Sequence, residues 1–216
     1  MGKFFVHLLD DLEGLSSRAQ SFLRRSAWRE PGVESRLPID APFELSLRRE
    51  GFAARYAGLR YTVRRSVSVG GQRLDTGRVW DFSLGHWARR EAGGWCFGWT
   101  GERVSSPVRY LVHTDGRCGV SLGGPFLEVN PSINHMIEGH ALMDELAGWH
   151  PVVGSALETW VAGSLGAPAA DLRLVEEASG PCDRWLCSET VAVRQFQGWT
   201  GVRPRPAAVM VWLREP

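Results

Sequence analysis

The sequence feature that most constrains the fold is a change in the spacing of apolar residues at Leu59. Before this point, residues 4–24 carry apolar side chains at helical spacing, either as one helix or as two that are divided at Gly14 and the serines 16–17, and residues 43–56 form a further stretch of the same kind. The second stretch begins after Pro42 and ends at Gly58, as helices commonly do. From Leu59 onward, apolar and polar residues alternate, which is typical of a strand with one face in water. The chain is therefore predicted to place helices before a β-sheet.

Turn residues divide the middle of the chain into short strands. Gly70-Gly71 and Gly93-Gly94 mark two turns, and Asp115-Gly116 lies between two strand-like segments as a strong hairpin signal. Strands joined by such turns pair in antiparallel fashion, and their alternation suits a sheet with one solvated face. We therefore predict an α+β fold in which a mostly antiparallel, twisted sheet, over about Leu59 to Val120, is flanked by helices.

The remainder of the chain is predicted to continue with further helices and strands. Asn130-Pro131-Ser132 predicts the start of a helix, with Ser132 or Asn130 as its N-cap. We divide the chain into an α+β domain, residues 1–148, and a C-terminal helix-plus-hairpin extension, residues 149–216, packed on the same domain. The extension is predicted to contain a helix at 155–165 and strands at 190–199 and 207–213.

Composition narrows the class of protein. Hydrophobic residues make up 44% of the 216 residues and charged residues 23%, which is ordinary for a globular protein. The net charge of +1 argues against a nucleic-acid-binding protein, which needs a concentrated basic face. Lys3 is the only lysine beside many arginines, a bias typical of high-GC bacterial genomes. With neither a signal peptide nor an apolar run long enough to span a membrane, we expect a cytoplasmic protein without membrane association.

Four cysteines occur, but their spacing does not match a zinc site. Zinc-binding cysteines usually come in Cys-x-x-Cys pairs, whereas Cys182 and Cys187 are separated by four residues. We expect free, buried thiols and a chain that folds without metal, cofactor or disulfide. If zinc were bound, Cys182 and Cys187 would be the first candidates, with Cys96, Cys118 and His113 as partners.

Three stretches, in this order, resemble the SUKH superfamily of bacterial immunity-type proteins. The first, residues 26–32, is a loop after the first helix that contains a tryptophan and a Pro-Gly pair. The second, residues 52–59, is the end of a helix, with an aromatic residue followed by small residues and a leucine. The third, residues 111–118, is a strand that leads into an Asp-Gly-Arg turn. Together they span about residues 20–148. Ala27 and Ala57 stand where the superfamily has glycine, and the chain after Gly148 has no counterpart. The resemblance implies helices packed on one twisted sheet, and a function exerted by binding a partner protein.

Two motifs in the chain contain residue types that are common in catalytic sites. His135 and Glu138 are one helical turn apart and share a face, so they form either a general acid–base pair or a surface pair presented to a partner. His140 points elsewhere on the same helix, so the histidines do not have the spacing of zinc proteases. Gly119-Val-Ser-Leu-Gly123 has the spacing of a nucleophile elbow, but no helix follows it directly.

The ten tryptophans are the compositional outlier, and they bear on where a partner would bind. Trp80, Trp87, Trp95 and Trp99 cluster in the predicted sheet, either as core or as an apolar surface. We predict the binding surface at the strand-to-helix corner from Phe126 to His140, with Trp95 or Trp99 nearby. Its predicted residues are Trp95, Trp99, Phe126, Glu128, Asn130, Asn134, His135 and Glu138.

The sequence thus favours a protein-binding module, an immunity protein that neutralises a cognate toxin by direct binding. The net charge of +1 leaves the class of toxin open. The alternative is a small tailoring or hydrolytic enzyme of bacterial specialised metabolism, with a Trp-lined pocket and His135 and Glu138 as its catalytic residues.

Overall fold

The computed structural model describes residues 6–31, 41–69, 72–153, 171–197 and 208–214, with the side chains of 67–73 left out. Within these ranges the chain forms three α-helices and two antiparallel sheets. The helices are α1 (Ser17–Ser26), α2 (Phe43–Tyr56) and α3 (Ile133–Leu146), and a 3-10 turn covers Glu176–Ala178. None of these helices has the length and apolar character needed to cross a bilayer.

The larger sheet is a meander in which each strand pairs with the next one along the chain. The turn at Asp115-Gly116 joins its fifth and sixth strands, as the hairpin signal predicted. The α+β fold with a mostly antiparallel sheet is thereby confirmed, while the turn predicted at Gly70-Gly71 lies outside the described residues. The strands are β1 (Ala27–Arg29), β2 (Leu59–Val69), β3 (Gln72–Glu91), β4 (Gly94–Glu102), β5 (Arg109–His113), β6 (Cys118–Ser121) and β7 (Leu127–Asn130).

A second, smaller sheet follows α3. Its order is β8-β12-β11-β10-β9, and all neighbours are antiparallel. The sequence indicated only the strands that became β11 and β12, and the helix predicted at 155–165 lies outside the described residues. The strands are β8 (His150–Val152), β9 (Arg173–Leu174), β10 (Asp183–Cys187), β11 (Val191–Phe196) and β12 (Ala208–Leu213).

The helical pattern predicted for residues 4–24 forms a helix only in its second half. The described residues before Ser17 form turns, and Gly14 has a φ of +87°, which is incompatible with a continuing right-handed helix. Ser16 then caps α1, because its hydroxyl accepts a hydrogen bond from the backbone N–H of Ala19. The glycine and the cap together override the apolar spacing.

One hydrophobic core joins the described elements. Aromatic rings on the inner face of the large sheet contact one another, with Phe82 stacked on Trp99 at 4.8 Å between ring centroids. Helix α3 lies across this face, and most of its side chains are buried. The same core includes Trp185 and Trp212 of the small sheet, whose rings stack at 5.9 Å. This face of the large sheet is therefore covered by the three helices and by the small sheet.

Candidate functional site

The predicted corner between β7 and α3 is held by internal hydrogen bonds. Glu138 is only 3% exposed, and its carboxylate accepts hydrogen bonds from the backbone N–H of Ser16, at 2.6 Å, and from the Ser16 hydroxyl. The prediction that Glu138 lies on an exposed binding surface is therefore wrong. A carboxylate can be buried here because the N-terminus of α1 supplies both hydrogen bonds.

The other polar residues at the start of α3 are half-buried and also have partners within the chain. Asn134 accepts a hydrogen bond from the Tyr56 hydroxyl at 3.0 Å, which ties α3 to α2. His135 Nδ1 lies 2.9 Å from the hydroxyl of Ser132, the residue that caps α3. His135 and Glu138 thus make separate contacts, and the structure does not bring them together as an acid–base pair.

Phe126 and Glu128 belong to a second network around the Asp115-Gly116 turn. Arg117 donates to Glu128 at 2.9 Å and to Asp115 at 2.7 Å, and its guanidinium lies 5.8 Å from the centre of the Phe126 ring. Burial opposes the ionisation of Asp115, but hydrogen bonds from Arg117 outweigh it and lower the pKa of Asp115 to about 2. The turn therefore carries a fixed negative charge at neutral pH.

The two predicted tryptophans are part of the interior. Trp99 is 5% exposed and contacts Phe82, Phe52 and Tyr110. Trp95 is half-buried and packs against the core. Trp99 is therefore a core residue, as is usual for a tryptophan, and Trp95 is partly one.

Next to this corner, a groove of about 830 Å³ runs between α2, the Asp115-Gly116 turn and the start of α3. We call it the α2 groove. Two large apolar side chains stand exposed on its α2 side, Phe43 at 77% and Leu47 at 52%. Other residues that line it are Glu44, Arg48, Phe52, Arg55, Tyr56, Val112, Thr114, Pro131 and Ile133. The predicted binding surface did not include this groove, although Phe43 and Leu47 are one helical turn apart.

Arg48 fixes the geometry of the α2 groove. Its Nε donates to the backbone carbonyl of Thr114 at 2.8 Å, which holds the turn against α2. The α2 positions that point inward are Leu45, Arg49 and Phe52, so Phe43 and Leu47 lie on the opposite side of the helix from the core. The groove is therefore a preformed surface with an apolar edge and a charged rim.

A Trp-lined cavity is also present, but it does not contain the predicted catalytic pair. Trp80, Trp99 and His140 line it, whereas His135 and Glu138 are not among the described residues around it. Ser121, the serine of the elbow-like motif, is buried and donates its hydroxyl to the carbonyl of Gly124 at 2.7 Å. An enzyme built on His135 and Glu138 therefore gains no support from the geometry.

The four cysteines are free thiols, of which Cys96, Cys118 and Cys182 are buried. Burial raises the pKa of Cys96 to about 12 and that of Cys187 to about 11, so both are protonated at neutral pH. Within the described ranges, no group of three or more His, Cys, Asp or Glu side chains is arranged to hold a metal ion.

Comparisons with known proteins add no assignment. No protein-family model, curated protein or solved structure matches this chain.

Proposed function

We propose that this chain is a protein-binding module, and that it acts in the bacterial cytoplasm as an immunity protein that neutralises a cognate toxin by direct binding. The observation that carries the proposal is the exposure of Phe43 and Leu47 beside the α2 groove. Large apolar side chains exposed together on one helix face are typical of interaction sites, because soluble proteins otherwise bury them.

The composition of the α2 groove supports a protein partner. Interfaces combine an apolar centre with a polar rim, and aromatic and arginine side chains are enriched among their most important contacts. Here Phe43 and Leu47 supply exposed apolar contacts at one edge of the groove, while Glu44, Arg48 and Arg55 supply polar contacts beside them. Arg48 already holds the neighbouring turn in place, so little ordering is required when a partner binds.

The resemblance to the SUKH superfamily supports the same surface. The stretch 52–59 contributes Phe52, Arg55 and Tyr56 to the α2 groove, and the stretch 111–118 contributes Val112 and the Asp115-Gly116 turn. Two of the three stretches that carry the resemblance thus converge on one groove. The surface lies beside the predicted corner but on α2, not on the buried face of α3.

The test is an affinity capture from the native host with three versions of the chain. The double variant Phe43→Glu/Leu47→Glu places charge on the groove, and Leu174→Glu changes an exposed leucine on β9 as the matched control. We expect a partner that binds the wild type and Leu174→Glu equally, and the double variant about a hundredfold more weakly. Expression of the partner in a bacterial host should arrest growth, and co-expression of the wild-type chain should restore growth.

Two results would overturn the proposal. One is a partner that binds the double variant as tightly as the wild type, which would remove the α2 groove from the interface. The other is a bound partner that is harmless to cells, which would leave a binding module without an immunity function.

A further inference from the structure

A cavity of about 350 Å³ lies on the face of the large sheet that α3 covers, and it shares no lining residue with the α2 groove. It is bounded by strands of the large sheet, by α3 and by the small sheet. Cavities that bind small molecules commonly have volumes of about 300–1,000 Å³, so this one has room for a small organic molecule.

The walls of the cavity include a cluster of aromatic rings and thioethers beside several charged groups. Trp80 and Trp99 come from the large sheet, Met136 and Met143 from α3, and Phe196 from the small sheet. Aromatic faces favour stacking with a planar apolar body, and methionine side chains adapt to irregular shapes. The walls therefore suit a ligand with an aromatic or otherwise flat apolar body.

The polar groups in these walls include hydrogen-bond donors that lack an acceptor. Trp80 and Trp99 are 6% and 5% exposed, and their indole Nε1 atoms are buried with no hydrogen-bond partner among the described residues. The same holds for Nε of Arg65, which also lines the cavity. Buried donors without acceptors are destabilising and uncommon in folded proteins, so three beside one cavity point to a ligand that brings acceptors.

The charged groups of the cavity are not equivalent. Arg194 is fully engaged, because it donates to Asp183 at 2.7 Å through Nε and again through its terminal nitrogen. Arg65 forms a longer ion pair with Glu102, at 3.8 Å between Nη1 and Oε1, which is beyond hydrogen-bond distance. Because Glu102 accepts no hydrogen bond from it, the fork of N–H donors on Arg65 suits a carboxylate or sulfonate.

From these observations we propose that the cavity is a binding site for a small organic anion with an aromatic body, whose acidic group is bound by Arg65. The tryptophan N–H groups are further donors to acceptors on the ligand. This site is independent of the α2 groove, so the two proposals fail or succeed separately.

Two dyes that differ in one group test the site directly. The anionic probe is 1-anilinonaphthalene-8-sulfonate, and the neutral probe is N-phenyl-1-naphthylamine, which lacks the sulfonate. We expect the anionic dye to bind the folded wild type saturably, at one equivalent, with enhanced fluorescence. Phe43→Glu/Leu47→Glu should bind it equally well, because the α2 groove is a separate surface.

Variants then assign the binding to the cavity and to the charge. Arg65→Gln should weaken the binding of the anionic dye about tenfold or more, since one charge-assisted interaction is lost, and should leave the affinity for the neutral dye unchanged. Arg103→Gln, which removes an exposed arginine beside Glu102, is the matched control and should bind both dyes as the wild type does. Val129→Phe, which adds a ring at the cavity wall, should abolish binding of both dyes.

The neutral dye also reports whether Arg65→Gln retains an intact cavity. The proposal is overturned if the wild type binds no anionic dye, or if Val129→Phe binds it fully, because the dye then sits elsewhere. It is equally overturned if Arg65→Gln binds the anionic dye as tightly as Arg103→Gln does. If Arg65→Gln binds neither dye, the variant Trp99→Phe decides, because it keeps an aromatic ring but removes one N–H donor. A decrease of less than twofold in the affinity of Trp99→Phe for the anionic dye would then end the proposal.

Discussion

Glu138 on α3 receives two hydrogen bonds from Ser16, the residue that caps α1, although 122 positions separate them in the chain. The Ser16 hydroxyl also accepts a hydrogen bond from the backbone N–H of Ala19. A chain of hydrogen bonds therefore runs from the first turn of α1 to the buried face of α3. This relationship makes Glu138 a structural residue that positions one helix on another.

Replacing Glu138 with alanine should lower the free energy of unfolding by about 3 kcal/mol, because the N–H and hydroxyl of Ser16 both lose their charged acceptor. The measurement is urea unfolding at pH 7. Glu145→Ala, an exposed position on the same helix, is the control and should change the free energy by no more than about 0.5 kcal/mol. Equal stabilities of the two variants would contradict this role for Glu138.

Stability should depend on pH through Asp144, a buried residue of α3. Burial raises the pKa of Asp144, but hydrogen bonds from Arg64 and Arg25 outweigh it and hold the pKa below the ordinary value of 3.8. Because the folded-state pKa is depressed, ionised Asp144 stabilises the folded state. This stabilisation is fully present above the unfolded-state pKa and is lost as the pH falls through the folded-state pKa.

Asp144→Asn should accordingly lower the free energy of unfolding at pH 7 by about 2 kcal/mol, since the hydrogen bonds to a charged acceptor are weakened. Urea unfolding between pH 7 and pH 2 should show a smaller loss of stability for Asp144→Asn than for the wild type. A parallel pH dependence for both proteins would show that Asp144 does not contribute to the acid sensitivity.

Two glycines with the same backbone conformation should differ in their tolerance of alanine. Gly101 has a φ of +76° and Gly93 a φ of +80°, so each substitution should cost about 1–2 kcal/mol for the left-handed backbone. A Cβ at Gly101 would also lie 1.9 Å from a ring carbon of Tyr110, whereas a Cβ at Gly93 would meet nothing within 4 Å. Gly101→Ala should therefore lower the free energy of unfolding by at least about 3 kcal/mol. Thermal unfolding of the two variants tests the difference.

The cysteines should react with a thiol reagent in a defined order. Cys187 is half-buried, while Cys96, Cys118 and Cys182 are buried, and burial raises the pKa of all four thiols. At pH 8, Ellman's reagent should label Cys187 first and slowly, and should label all four thiols rapidly in urea. Cys187→Ser should remove the early phase. Rapid labelling of a second thiol in the native protein would contradict the described burial.

The middle strands of the large sheet, β2 to β6, were predictable because their signals are local. Alternation from Leu59 onward indicates a strand with one wet face, and the turn at Asp115-Gly116 specifies antiparallel pairing of the strands beside it. Helix α2 was predictable for the same reason, from the proline before it and the glycine after it. The strands β1, β8, β9 and β10 were not predicted: β1 and β8 have three residues and β9 has two, too few for a pattern, and β10 was not recognised from its sequence.

The candidate site was less predictable because burial depends on distant partners. Nothing around Glu138 in the sequence indicates that Ser16 will donate hydrogen bonds to its carboxylate, and a charged side chain by itself favours an exposed position. Phe43 and Leu47 have helical spacing, which usually indicates a buried face. Only the placement of Leu45 and Phe52 toward the core shows that the face carrying Phe43 and Leu47 is the exposed one.

The strand order has a consequence for how the chain acquires its structure during synthesis. Each strand of the meander can pair as soon as the next one has been made, so its contacts close short loops and form rapidly. β8, in contrast, pairs with β12, whose residues are translated about 60 positions later. Until then, the small sheet lacks two of its strands, and the wall of the cavity lacks Met210, so the cavity that Trp80 and Trp99 line is completed only at the end of synthesis.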